Sequence, residues 1–411
     1  MTAAPLHNPT PLMHSTPLSR KTQTNVWLKL ENLQPSGSFK MRGLGHMCQK
    51  AVQEHGKATH LVCSSGGNAG LAVAYAGRQL DVRVTIVVPL SCSQFMKQKI
   101  ESEGATVEME GEAWDEADLR ARTIVANDPH GVYVPPFDHP DIWAGNSTMV
   151  DELKTQMGGI VPDAIVCSVG GGGMLNGVIL GCERAGWDRV PIIAIETHGA
   201  NSFQQAVVAG KLVTLPKITS VATTLGAKRV SAKSLELSFV HPVIPFAVSD
   251  SMACRACWQF LDDHRILVEP SCGASLSVAY TPSLLSNVLP HLNHQSNVVM
   301  IVCGGSNINF EQLTDFKTKF ASQGQQPAIA VRNGDQIMLK MTHSLQEKES
   351  TPAQRFIIST LYRSPVSESD EAATNGVSAT NGSSALDAKS LSAPATNHDD
   401  HVAVKTEETN E

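Results

Sequence analysis

Five short apolar runs set the terms for this chain: "THLVCSS" (59–65), "RVTIVVP" (83–89), "DAIVCSV" (163–169), "PIIAIET" (191–197) and "NVVMIVCGG" (297–305). Each leads into a Gly- or Ser-rich turn and then a stretch of helical period. Strands that are apolar on nearly every residue must be covered on both faces, and intervening helices supply the cover. The pattern predicts an α/β protein with open, twisted, parallel-rich sheets flanked by helices. Such sheets bind ligands beyond the carboxyl ends of their strands. The glycine-rich turns fall at those ends.

With 411 residues the chain can form two domains around a large core. Its formal net charge is −7. Residues 364–411 carry all of it, with nine Asp/Glu against two Lys. The first 363 residues therefore balance, which argues against nucleic acid as a partner. No run of about 18 apolar residues occurs, so no membrane span is expected. The first twenty residues lack a signal-peptide pattern. Nine dispersed cysteines fit a reduced, cytoplasmic protein better than a disulfide framework. Cys254 and Cys257 form a lone CxxC on an amphipathic helix. Without a second ligand pair they read as core residues.

The strand–helix alternation stops near residue 325. Residues 326–363 keep some apolar content and read as an extension packed weakly on the body. Residues 364–411 contain no aromatic side chain and are rich in Ser, Ala, Thr, Asn and acid. Such a segment buries too little to offset its ordering entropy, so a disordered acidic tail is expected.

Four turns bear chemistry. "SGSFK" (36–40) carries Lys40 on a flexible-looking turn that enters a helix. "CSSGGNAG" (63–70) and "SVGGGGMLNG" (168–177) each join a strand to a helix, and "CGGSN" (303–307) closes the last strong strand. In the tetraglycine, successive N–H groups without side chains can cradle a phosphate at a helix N-terminus. No Gly-Lys-Ser/Thr follows, so it is not a P-loop, and it is not a GxGxxG fingerprint. A tight structural turn is the plainer reading. A phosphorylated cofactor is the sharper one, because an amine near a phosphate cradle is what pyridoxal phosphate requires for its lysine linkage.

"PSGSFKMRG", "CSSGGNAG", "PPFDHPDIWAGN", "SVGGGGMLNG", "ETHGANSF", "LPKITSVATTLGAK", "LVEPSCGA" and "IVCGGSN" follow one another in this order. Together they resemble the L-serine dehydratase/L-threonine deaminase family of fold-type II pyridoxal-phosphate enzymes, relatives of tryptophan synthase β chains. The resemblance runs from about Leu6 to Leu313. It implies a large cofactor-binding domain from residues 1–33 and 141–325, a small domain over 34–140, and a cofactor between them. It also implies a cytoplasmic homodimer serving amino-acid catabolism and gluconeogenesis. The reaction would be β-elimination of L-serine to pyruvate and ammonia, and of L-threonine to 2-oxobutanoate.

The resemblance assigns roles residue by residue. Lys40 would hold the cofactor and take the Cα proton, and Phe39 would pack beside the ring. Ser64, Ser65, Gly66, Gly67 and Asn68 would bind the substrate carboxylate, Asn68 also bonding the cofactor's 3′ oxygen. Gly170, Gly171, Gly172, Gly173 and Met174 would cradle the phosphate. Cys303 would face the pyridine nitrogen. A thiol there is a weak hydrogen-bond partner, so the ring would be a shallower electron sink than one paired with aspartate, favouring early loss of the leaving group. Gly170, Glu196, Ala200, Ser202 and Leu225 resemble a monovalent-cation site, usually potassium.

Three other readings compete. Serine racemases of the same fold carry a serine directly before the Gly-Asn pair, whereas this chain has Gly66, which offers no acid to the second face of the carbanion. Gly66 also has a plain structural reading, as a permit for an unusual backbone angle. Cysteine synthases resemble a "PxxSxKDR" pattern, not "KMRG". A non-catalytic regulatory homologue would not need an intact lysine with both loops.

Overall fold

The computed structural model describes residues 4–281, 284–321, 323, 328–332 and 335–339. Among the described residues the strands are β1 (Leu12–His14), β2 (Asn25–Lys29), β3 (His60–Cys63), β4 (Arg83–Val88), β5 (Thr106–Met109), β6 (Gly131–Tyr133), β7 (Ala164–Ser168), β8 (Ile192–Thr197), β9 (Val243–Val248), β10 (Asn297–Ile301), β11 (Ala328–Arg332) and β12 (Asp335–Leu339). They form two sheets. The small one has the order β5-β4-β3-β6 and is parallel throughout. The large one has the order β1-β2-β10-β7-β8-β9-β11-β12. It is parallel from β2 to β9, with antiparallel strands at both edges.

The five apolar runs are β3, β4, β7, β8 and β10, each an interior strand of its sheet. Burial on both faces explains why they lack the alternation of a half-exposed strand. Cys254 and Cys257 lie on the helix Asp250–His264 and are both buried. No described helix is long and apolar enough to cross a membrane.

The small sheet lies between β2 and β7 in the chain. The chain therefore leaves the large sheet, builds the small one and returns. Two helices carry these crossings. Lys40–His55 contributes Met41, Leu44 and Met47 to the small core. Pro140–Gln156 straddles the boundary: Ile142 packs in the small core, and Met149, Val150 and Leu153 in the large one.

A buried ionic cluster locks the two helices together. Arg42 Nε and Nη2 donate to Glu31 at 2.7 and 2.8 Å, and Nη1 and Nη2 donate to Glu152 at 2.7 and 2.8 Å. Lys29 Nζ donates to Glu152 Oε2 at 2.6 Å and to Thr10 O at 2.7 Å. Two cations meet two carboxylates, and the side chains of Arg42, Lys29 and Glu31 are wholly buried. Bidentate geometry and the absence of an uncompensated charge make such burial tolerable.

The described part of the segment beyond residue 325 packs on the body. Ala328, Ala330 and Val331 are buried where β11 pairs with β9. Gln204 Nε2 donates to Ile329 O at 2.8 Å. The short Ala-Ile-Ala-Val run suffices to join the edge of an existing sheet. The remainder of 326–363, and the tail expected over 364–411, lie outside the described residues.

Replacing Arg42 by Met should leave Glu31 buried without its counter-charge. A stability loss of about 3–5 kcal/mol is expected, read as a lower denaturant midpoint; a loss under about 1 kcal/mol would show that the cluster is not isolated from water.

Candidate active site

Three of the four chemistry-bearing turns, and the turn after β8, lie where parallel strands end. The loop after β3 carries residues 64–68, the loop after β7 carries 169–173, β8 runs into the 198–202 turn, and β10 leads to 303–307. The turn before Lys40 is pinned to the last of these. Phe39 N donates to Cys303 O at 3.1 Å, Gly305 N donates to Gly37 O at 2.9 Å, and Ser38 forms a bridge with Gly304. The apparent flexibility of "SGSFK" is thus not realised. Gly37, at φ 75°, supplies a left-handed step that other residues rarely adopt.

Lys40 is the first residue of its helix, and Phe39 caps it. Its Nζ donates to Pro136 O at 2.5 Å and lies 5.5 Å from the Phe39 ring centroid and 6.0 Å from that of Phe137. Loss of water around the amine pulls its pKa down to about 8, against the opposing pull of Cys63, Glu269 and Cys303. Such an amine gives up and takes a proton near neutrality, as a general base must.

The tetraglycine opens the helix Gly173–Ala185, with Gly172 as its cap at φ 93°. No side chain caps the first-turn N–H groups, which leaves them for an anion. A Cβ on Gly171 would collide with the Phe137 ring, and one on Gly172 with Ser234 Oγ, so only glycine fits this path. Asn146 Nδ2 holds the loop through Gly173 O at 2.9 Å, and Ser231 N through Gly171 O at 3.0 Å. Met174 is buried in the large core behind it. Beside Lys40, the Ser38 hydroxyl is buried without a hydrogen-bond partner. The Lys40 amine and the uncapped glycine cradle share the Phe137 ring as a neighbour, and with the orphan hydroxyl next to Lys40 they fit a phosphorylated aldehyde cofactor.

The loop over 64–68 divides its tasks. Ser64 turns its hydroxyl away from the cleft, donating to Asp118 Oδ1 at 2.7 Å beside Tyr133. Ser65 Oγ accepts from Gly67 N at 3.4 Å. Gly66 is not left-handed, so the unusual-angle reading fails. A Cβ there would instead lie 2.6 Å from Cys92 Sγ. Asn68 is tied on both sides of its carboxamide, to Glu269 Oε1 at 2.9 Å and to Ser306 N at 2.7 Å.

Cys303 is buried at the end of β10. The neighbouring Cys272 and the lack of water raise its thiol far above the ordinary range, so it stays neutral. Glu196, at the end of β8, is wholly buried and accepts from Phe203 N at 2.9 Å and Gln204 N at 2.7 Å. Burial raises its pKa to about 8, and no cationic side chain pairs with it among the described residues. The Ser202 hydroxyl nearby is buried and unpartnered. Ala200 N bonds Thr197 O at 2.9 Å, and a Cβ on Gly170 would lie 3.0 Å from Leu225 Cα.

Glu269, Thr224, Phe137 and Asn146 were not singled out by sequence reasoning. All four lie inside the quoted blocks, but their types carry no signal until neighbours are known.

The sequence pattern of the family described as "Pyridoxal-phosphate dependent enzyme" matches residues 3–304. A human protein named "L-serine dehydratase/L-threonine deaminase" is 47% identical over 334 residues, covering 80% of this chain and 99% of that protein. A human "Serine dehydratase-like" protein is 50% identical over 321 residues, covering 76% and 95%. The crystal structure of a fungal L-serine ammonia-lyase from Rhizomucor miehei superposes with a TM-score of 0.75 at 49% identity, covering 77% of this chain and all of that one.

In protein stripped of cofactor, Lys40 should label with an amine-directed reagent with a midpoint near pH 8, while ordinary lysines stay protonated to about pH 10. Peptide-resolved mass spectrometry across pH checks this; labelling of Lys40 in step with surface lysines would contradict its desolvated position.

Proposed function

The chain belongs to the family of pyridoxal-phosphate dependent enzymes, and from that premise we propose that it is an L-serine and L-threonine ammonia-lyase. It removes the β-hydroxyl and the amino group of L-serine to give pyruvate and ammonia, and converts L-threonine to 2-oxobutanoate. The names of its human relatives and of the fungal lyase support the substrate class. The observation that carries the reading is Lys40, an amine of pKa about 8 beside an uncapped glycine cradle.

Pyridoxal phosphate, when bound, supplies an electron sink for the electrons released at Cα. The rest is the work of the chain. Gly170 to Gly173 and Met174 offer N–H groups to the phosphate. Phe39 would line the ring, and Cys303, kept a neutral thiol, would meet its nitrogen as a weak hydrogen-bond partner. The loop of Ser64 to Asn68 would receive the substrate carboxylate through its backbone N–H groups and Ser65, while the Asn68 side chain serves the cofactor's 3′ oxygen. Lys40 Nζ takes the Cα proton on one face. Gly66 presents no group to the other, so the reading is lyase rather than racemase.

The proposal extends to a monovalent cation, potassium by resemblance, held by the Glu196 carboxylate with Ser202 Oγ and the carbonyls of Gly170, Ala200 and Leu225. A buried carboxyl that meets two backbone N–H groups but no cationic side chain among the described residues, with a buried unpartnered hydroxyl nearby, supports it. It extends also to a cytoplasmic homodimer, consistent with nine free cysteines, all buried but half-exposed Cys92.

Incubation with L-serine should yield 2-oxo acid and ammonia in equal amounts, with negligible D-serine by chiral chromatography. Lys40→Ala should abolish both the products and the visible absorbance of the bound cofactor. Abundant D-serine would sink the lyase-only reading.

The cation makes a signed prediction in pH. Because burial raises the Glu196 pKa from 4.5 to about 8, the cation-free native state binds a proton that the unfolded state has lost, so stability falls as pH rises between those values. Potassium should therefore raise Tm more at pH 8.5 than at pH 6, relative to tetramethylammonium at equal ionic strength. Equal Tm in both salts at both pH values would remove the cation.

A further inference from the structure

Glu269 touches Asn68, yet the lyase reading leaves it without a role. It caps the helix Pro270–Tyr280, its side chain is buried, and no salt bridge reaches it among the described residues. A carboxyl buried without an ion pair is costly, and an apolar residue would pack there more cheaply. Its surroundings explain the choice. Asn68 Nδ2 donates to Oε1 at 2.9 Å, Thr224 Oγ1 donates to the same oxygen, and Asn307 N donates to Oε2 at 3.3 Å. All three neighbours are donors, and only a carboxylate accepts at both ends. A glutamine would turn its NH2 either toward Asn307 N or toward Asn68 and Thr224. Gly305, at φ 123°, leaves room for the carboxyl; a Cβ there would overlap it.

We propose that Glu269 is a positioning residue that fixes the Asn68 carboxamide so that it presents a hydrogen-bond donor to the cofactor's ring oxygen. This rests on the pyridoxal-phosphate reading above. A carboxamide fills the same space in either of two orientations, and its environment must choose. Here Oδ1 receives Ser306 N at 2.7 Å while Nδ2 faces the carboxylate. Reversing it would set oxygen against a carboxylate oxygen and NH2 against an N–H. Two clashes at once hold one orientation. Glu269 uses one of the two Nδ2 hydrogens, and the second is left as a donor. An anionic ring oxygen needs that donor; an acceptor in its place would repel it.

The test is a double-mutant cycle on the full chain: wild type, Asn68→Ala, Glu269→Gln and the double variant. Each is stripped of cofactor and titrated with pyridoxal phosphate, with Kd read from the visible absorbance and Tm measured without cofactor. Glu269→Gln should weaken Kd by about 5- to 10-fold, the worth of one hydrogen bond. In the Asn68→Ala background it should weaken Kd by less than about 2-fold, because the group it orients is gone. Additive losses, or an unchanged Kd in Glu269→Gln, would overturn the proposal. Should Glu269→Gln fail to fold, Thr224→Val removes one of the donors that seat the carboxylate; it too should weaken Kd, and only while Asn68 is present. Wild type that develops no visible band would overturn this proposal and the lyase reading together, whereas wild type that binds with an additive cycle overturns the role of Glu269 alone.

Discussion

Everything at the cleft depends on where the first turn of one helix sits, and Arg42 sets that position. It stands two residues beyond Lys40, and both edges of its guanidinium are clasped by carboxylates from different parts of the chain. Glu31 follows β2 of the large sheet, and Glu152 rides on the helix that returns from the small sheet. A planar fork between two carboxylates tolerates little rotation or sliding. The helix is thereby located against the large sheet even though its apolar face packs in the small core. Hydrophobic contacts alone would allow several nearby positions; the ionic cluster selects one.

The second constraint is directional. Parallel strands point their carboxyl ends the same way, so four loops far apart in sequence open onto one cleft without being coded as neighbours. Backbone bonds then stitch them: Phe39 to Cys303, Gly305 to Gly37, Ser231 to Gly171. The chemistry divides accordingly. On the proposed reading, the uncapped backbone N–H groups would receive the phosphate and the desolvated Lys40 amine would serve the reacting carbon, while the buried carboxyls of Glu196 and Glu269 have donors as neighbours.

The class of fold was legible because doubly covered strands cannot alternate, and five runs that do not alternate leave few architectures. Lys40 and the glycine loops were legible because their residue types are unusual in their context. The blocks made the family recognisable. What stayed hidden is what depends on partners. The side chain of Ser64 could equally have faced the cleft, and it turned instead toward Asp118. Gly66 looked like a backbone requirement and proved to be a matter of space beside Cys92. β11 was missed because a strand added beside β9 needs only a few apolar residues when a parallel sheet already offers it hydrogen bonds. Glu269 carries no motif, since its meaning lies in three donors from three separate segments.

The insertion of one sheet within the other has a consequence for how the molecule is made. The small sheet is contiguous, its strands falling between His60 and Tyr133. The large sheet is not: β2 pairs with β10, so Asn25 meets Asn297. On a ribosome, β2 emerges early and then stands without its central neighbour while the intervening chain is translated, a delay on the order of tens of seconds at ordinary elongation rates. During that interval an apolar strand presents an open edge, which invites pairing with the wrong partner. The small sheet can close during this wait, but the large one cannot, so assembly runs from the inserted part outward. The burden of keeping nascent chains apart falls on the interval before β10 arrives.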